Sequence, residues 1–197
     1  MQGGMSASRQ SLGTGWQAAF LKAPIWRFWL GAELCGSTVI GAFMPSVDGI
    51  GRYFPLTVFA RADETTAIAP PELDVHDDWF DILEAFLLSV LEQDCTYEST
   101  SAALDRLPPP AHQQPPPRSE MLEVRGGLIA RLGDVRGLQD TFAAMRSVAH
   151  VNAYAAMSFW WTIGGQEYPP IALAQYKMPD EFLFTEMLTG RFAFGFE

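Results

Sequence analysis

A short polar segment of the sequence concentrates the residue types that could do chemistry. Residues 44–56 contain Ser46, Asp48 and Arg52 among glycines and prolines. A serine hydrolase needs a nucleophilic serine, a histidine base and an orienting acid, and Ser46 with Asp48 would supply two of these. His150 is the candidate for the base, because the other two histidines lie in an acidic run and in a proline-rich segment.

The surroundings of these residues favour a noncatalytic protein. Ser46 is flanked by Pro45 and Val47 and lacks the glycines of a nucleophile elbow. The cysteines and histidines do not have the short spacing of a zinc site, and Gly49-Ile50-Gly51 is too short for a dinucleotide-binding fingerprint. We therefore predict no enzymatic activity, no metal and no cofactor, and we keep a hydrolase using Ser46 with His150 as the alternative.

The polar segment lies between two apolar stretches that predict a hairpin. Residues 38–44 and 53–61 are rich in β-branched and aromatic side chains, while glycines and prolines interrupt the pattern between them. One interpretation is that Ser46, Asp48 and Arg52 present a rigid polar surface to a partner. The other, which the habit of aspartate in turns favours, is that Asp48 caps the turn and Arg52 pairs with it.

Further elements predict one α/β domain over residues 1–197, with a central mixed β-sheet flanked by helices as a three-layer sandwich. The pattern indicates helices over 13–30, broken at Pro24, and over 79–93, 120–132, 138–148 and a segment starting at 178, with strands over 156–163 and 171–176. Six prolines make 107–118 an extended linker inside this domain.

Trp160 and Trp161 are neighbours in a predicted strand. Adjacent strand residues face opposite sides of a sheet, so one of the two packs in a core while the other faces helices or solvent. If Trp161 is exposed, it is a candidate anchor for a partner. A sheet covered on both faces would instead bury both rings, and this is the interpretation we favour.

The net charge of −10 is unevenly distributed. Residues 62–105 contain twelve carboxylates and no Lys or Arg, whereas the rest of the chain has eleven carboxylates and thirteen basic residues. Such a surface repels nucleic acid and anionic lipid. A basic protein partner remains compatible with it, as does a simple solvated face. The sequence also lacks an apolar run of the ~20 residues that span a bilayer and a secretory signal, so we predict a cytoplasmic protein without membrane insertion.

Three motifs of the sequence recur in a known family. They are Pro24-Ile25-Trp26-Arg27-Phe28, the segment 44–56 with its spaced Pro, Asp, Gly, Arg and Phe-Pro, and Ser158-Phe159-Trp160-Trp161-Thr162. With these motifs the chain resembles the TagF/ImpM family, accessory proteins of bacterial type VI secretion systems. The resemblance implies a posttranslational repressor that binds the forkhead-associated scaffold protein of the system and blocks its assembly. It implies no enzymatic activity.

One departure from the family pattern concerns the start of the chain. Members begin with a glycine-rich Gly-Lys-Leu-Pro segment, whereas this sequence opens at Met1-Gln2-Gly3-Gly4, so we expect that an N-terminal piece of the family is missing. If that piece supplies a strand, its neighbour would expose an unpaired edge, which would also allow a homodimer.

Overall fold

The centre of the molecule is a five-stranded antiparallel sheet with the strand order β3-β2-β1-β6-β7. The computed structural model describes residues 2–63, 67–91, 95–110, 121–125, 127–131, 137–165 and 167–192. The strands of the sheet are β1 (Trp26–Leu30), β2 (Val39–Val47), β3 (Tyr53–Arg61), β6 (Met157–Thr162) and β7 (Ile171–Tyr176). A separate two-stranded sheet pairs β4 (Met121–Val124) with β5 (Gly127–Ala130).

Helices cover both faces of the central sheet. Helices α1 (Gln2–Leu12), α2 (Trp16–Lys22) and α8 (Glu181–Thr189) pack on one face, and α4 (Asp77–Ser89) packs on the other. The remaining helices are α3 (Ala32–Cys35), α5 (Tyr97–Leu104), α6 (Leu138–Val148) and α7 (His150–Ala153), with a 3₁₀ turn at Gly13–Gly15. The predicted α/β sandwich with helices on both faces of its sheet is confirmed.

Strand β1 joins the two hydrophobic cores, because successive side chains point to opposite faces. Trp26 and Phe28 lie in the core under α2 and α8, whereas Trp29 lies in the core under α4. The indole N–H of Trp26 and the hydroxyl of Tyr168 both donate to the carbonyl of Met187, at 3.1 and 2.6 Å, which ties the end of α8 to the sheet.

The sheet differs from the prediction in its strand directions and in β1. It is antiparallel throughout the described strands, not mixed, because β2–β3 and β6–β7 are hairpins and β1 reverses into β2 through the short helix α3. The helix predicted over 13–30 is also wrong beyond Pro24. All five residues of β1 are buried, and a fully buried strand carries no alternation that would distinguish it from a buried helix.

The secondary-structure predictions for the second half of the chain are confirmed only in part. The helix predicted over 120–132 is wrong, since β4 and β5 form a hairpin there. The helix over 138–148 and the β6–β7 hairpin are confirmed. Residues 111–118 of the proline-rich linker lie outside the described residues, and the extent of the domain over 1–197 stays a prediction.

The described helices offer no membrane-spanning segment, since none of them combines enough length with enough apolar character to cross a bilayer.

Candidate functional site

The turn between β2 and β3 is organised around one carboxylate. Oδ1 of Asp48 accepts the backbone N–H groups of Ile50 and Arg52, at 3.1 and 2.8 Å, and Oδ2 accepts the side-chain Nε–H of Arg52 at 2.6 Å. The backbone closes the same turn, because Gly51 donates to the carbonyl of Asp48 at 2.9 Å. Gly51 has a φ of +83°, a conformation that favours glycine.

These hydrogen bonds set the charge state of the turn. The backbone N–H of Arg52, followed by its guanidinium, stabilises the carboxylate and holds the pKa of Asp48 below its usual value. The guanidinium of Arg52 is 76% exposed. The turn therefore has the geometry of the second interpretation, in which Asp48 caps the turn and Arg52 pairs with it.

Ser46 lies inside the same hairpin and contributes little to its surface. It pairs with Phe54 in the β2–β3 register and is only 8% exposed. The apolar side chains of Val47, Ile50 and Phe54 are instead the ones that the hairpin end exposes. The outer surface of this motif is thus more apolar than its sequence indicates.

His150 lies toward the other end of the sheet from Ser46. Helix α7 leads into β6, whose Ser158 pairs with Leu30 of β1, and Leu30 pairs in turn with Val39 at the start of β2. Val39 and Ser46 are seven residues apart in β2, which corresponds to about 23 Å in an extended strand. The structure therefore does not bring the imidazole and the hydroxyl together.

The side chains around α7 are engaged locally. Nδ1 of His150 lies 2.7 Å from the carbonyl oxygen of Ser147. Tyr154, one helical turn later, donates its hydroxyl to the carboxylate of Glu72, and burial together with this hydrogen bond raises the pKa of Tyr154 to about 12. The phenol is neutral at ordinary pH and serves as a donor that joins α7 to the segment before α4.

The two tryptophans of β6 pack on opposite faces, as their spacing predicts. Trp160 is buried between Phe28 and Phe43, with ring centroids 5.3 and 6.3 Å apart. Trp161 is partly buried and makes an edge-to-face contact with Phe80 of α4 at 5.0 Å. Most of Trp161 is thus part of the second core, and its role as a partner anchor stays a prediction.

A second charged site, absent from the sequence predictions, centres on Arg27. Arg27 is the second residue of β1, and its side chain is only 3% exposed. Its Nε–H donates to Oε1 of Glu84 at 2.5 Å, and its two terminal nitrogens donate to Oδ1 of Asp77 and of Asp81, each at 3.1 Å. The guanidinium also lies over the ring of Phe80, 5.0 Å from its centroid.

The spacing of the carboxylates along α4 explains how the site forms. Asp77, Asp81 and Glu84 recur at four and three residues, which places them on one side of a helix. The helical periodicity of the apolar residues predicts Asp81 and Glu84 on the outer side of α4, and for Glu84, whose side chain is only 14% exposed, this prediction is wrong. The sequence signal that could have predicted this site is Arg27 itself, a basic residue inside an otherwise apolar segment. A buried charge requires partners of opposite charge, so acidic residues must pack against it.

Several acidic residues before and at the start of α4 are engaged within the protein. Asp77 and Asp81 direct oxygens to the guanidinium, and Asp74 accepts the backbone N–H of His76 at 2.9 Å. Within the described ranges, no three His, Cys, Asp or Glu side chains are arranged to hold a metal ion.

Fold and site together define a class of protein: a small α/β sandwich whose central antiparallel sheet is tied to a covering helix by a buried arginine. A family model described as "TagF N-terminal domain, Type VI secretion system-associated" matches residues 1–107, more than half of the chain. The chain belongs to the TagF family, which is associated with type VI secretion systems.

A solved structure has a similar fold and a related sequence. The crystal structure of PA0076 from Pseudomonas aeruginosa PAO1 superposes with a TM-score of 0.76 at 30% sequence identity, and the match covers 97% of this chain and 81% of that chain. A search among curated proteins found no match to the sequence.

Proposed function

We propose that this protein is a noncatalytic, cytoplasmic accessory protein of a type VI secretion system. In this proposal it represses secretion after translation, by binding the forkhead-associated scaffold protein of the system and preventing its assembly. The secretion context follows from the family, and the partner follows from the resemblance of the three sequence motifs. The domain that carries this function is taken to extend over residues 1–197.

One observation carries the noncatalytic part of the proposal: the polar side chains of the family motifs are engaged in internal contacts. Asp48 holds the hairpin turn, and Arg27 holds α4 against the sheet. Ser46 is buried in a strand. Residues used in this way build a rigid surface, and a rigid surface suits recognition of a protein partner.

The alternative, a hydrolase using Ser46 with His150, has less support. The two side chains lie toward opposite ends of the sheet, and the described contacts include no hydrogen bond from Ser46 to a histidine. A nucleophile and its base must come within hydrogen-bond reach of each other.

The test combines binding with secretion. We expect the purified full chain to bind the purified scaffold protein in isothermal titration calorimetry. Raising the level of the chain in cells should lower release of a secreted substrate while the abundance of the scaffold protein stays constant. Ser46→Ala should preserve both effects, whereas a hydrolase would lose its activity. Absence of binding, or unchanged secretion after both overproduction and deletion, would refute the proposal.

A further inference from the structure

The outer side of α4 carries an exposed stripe, in which Asp81 also accepts a hydrogen bond from the buried Arg27. Asp78, Asp81, Ile82, Ala85 and Leu88 are exposed and recur at three- and four-residue spacing, so they lie along one side of the helix. We call these five residues the outer α4 face. It is acidic at the start of the helix and apolar toward its end, where Leu88 is 54% exposed.

The helix that presents this face is firmly oriented. The opposite side of α4 is buried in the second core through Phe80, Leu83 and Leu87. Arg27 adds three hydrogen bonds that join the first two turns of α4 to the central strand of the sheet. A face fixed in this way is ordered before any partner arrives, which lowers the entropic cost of binding.

Charge limits the kind of partner that fits. The outer α4 face lies in the region 62–105, which has twelve carboxylates and no Lys or Arg. Arg27, which neutralises part of this charge, is buried behind the helix. Nucleic acid and anionic lipid surfaces would be repelled. A partner that carries basic side chains beside an apolar strip would complement both the acidic start and the apolar end of the face.

A second copy of this chain fits the face poorly. Identical subunits usually pair about a two-fold axis, which brings the same patch of each copy together. If the two helices run parallel, Asp78 and Asp81 oppose their own equivalents, and closely opposed like charges cost several kcal/mol at an interface. If they run antiparallel, the acidic start of one face lies against the apolar end of the other, which leaves its charges without basic partners. A different protein with basic side chains therefore complements this face better than a second copy does.

We propose that the outer α4 face binds a basic, amphipathic segment of the scaffold protein. This inference rests on the proposed function for the identity of the partner, and it adds which surface of this chain is used and what chemistry the partner offers there.

The experiment measures the affinity of the full chain for the purified scaffold protein. Leu88→Lys replaces the more exposed of the two large apolar side chains of the face with a charge that repels a basic partner. We expect at least a tenfold loss of affinity, since apolar anchors dominate binding. Leu21→Lys is the matched control: Leu21 is 52% exposed, and its helix, α2, covers the other face of the sheet. The affinity of the Leu21→Lys variant for the scaffold protein should stay within about twofold of the wild-type value.

Two further measurements test the chemistry. Asp78→Asn should weaken binding less than Leu88→Lys and should reduce the dependence of the affinity on salt, because it removes one exposed charge. A photo-cross-linking amino acid at position 85 should label a segment of the scaffold protein rich in Lys and Arg. Thermal denaturation of each variant shows that it remains folded.

The outcomes separate the two proposals. If the wild type binds and Leu88→Lys binds as well as Leu21→Lys does, the outer α4 face is not the docking surface, while the proposed function stands. Labelling of an acidic segment, or of a second copy of this chain, also overturns the inference. If the wild type does not bind the scaffold protein, the proposed function fails, and the inference fails with it.

Discussion

The two arginine sites of this protein use the same chemical groups in opposite surroundings. Arg52 pairs with Asp48, four residues before it in the chain, and its guanidinium is largely in water. Arg27 pairs with three carboxylates that lie 50 to 57 residues further along the chain, and its guanidinium is buried. The first site shapes a turn, and the second joins two layers of the fold.

The contrast shows that burial and sequence separation decide what an ion pair does. An exposed pair in water contributes roughly 0–1 kcal/mol, because solvent already stabilises both charges. A buried guanidinium must have its partners, and removing one side of such a cluster typically costs about 3–5 kcal/mol. Arg27 should therefore determine how α4 is held on the sheet, whereas Arg52 should affect little beyond its own turn.

The largest loss of stability is expected from substitution of Arg27. Arg27→Ala removes the guanidinium from between β1 and α4 and leaves Glu84 without its partner, so we expect a loss of about 3 kcal/mol in the free energy of unfolding. Urea denaturation followed by tryptophan fluorescence measures this change. Arg27→Met, which keeps most of the apolar stem, should lose less. A loss below about 1 kcal/mol for Arg27→Ala would show that the buried site behaves like the exposed one.

The three carboxylates of the Arg27 site should contribute unequally to the stability of the protein. Glu84 is the least exposed of the three, and its hydrogen bond to Nε is the shortest. We expect Glu84→Gln to cost about 1.5 kcal/mol, as hydrogen bonds to charged groups usually do. Asp81→Asn, at an exposed position on the same guanidinium, should cost about 0.5 kcal/mol. Equal losses in urea denaturation would mean that burial does not rank these contacts.

The same contrast explains what could be predicted from the sequence. The Asp48 turn is local: its acceptor, its glycine and its arginine all lie within five residues, so turn preferences were enough to predict it. The β2–β3 and β6–β7 hairpins and the helix at 138–148 are predictable for the same reason. The Arg27 site depends on β1 being a strand and on α4 lying over it, and neither relation is visible in local periodicity. Because the pattern of residues 26–30 also fits a buried helix, it does not indicate which residues pair with Arg27.

The contribution of Asp48 to the stability of the folded protein should depend on pH. Its pKa is lowered in the folded protein, so its contribution to stability is present above the unfolded value of 3.8 and disappears as the pH falls through the folded value. We expect Asp48→Asn to lower the melting temperature at neutral pH by less than Arg27→Ala does. The difference from the wild type should shrink below about pH 4. A difference that stays constant down to pH 2 would show that the carboxylate charge does not stabilise the turn.

The smallest effect on stability is expected at Arg52, and this makes it the most informative residue for binding. Arg52→Gln removes an exposed guanidinium but keeps the backbone N–H that donates to Asp48 at 2.8 Å, so the turn should persist and the melting temperature should change little. Because the fold is preserved, any loss of affinity for the scaffold protein must come from the exposed surface of the turn. Unchanged affinity would restrict Arg52 to its pairing with Asp48. A clear loss without a change in melting temperature would instead make the hairpin end a contact surface alongside α4.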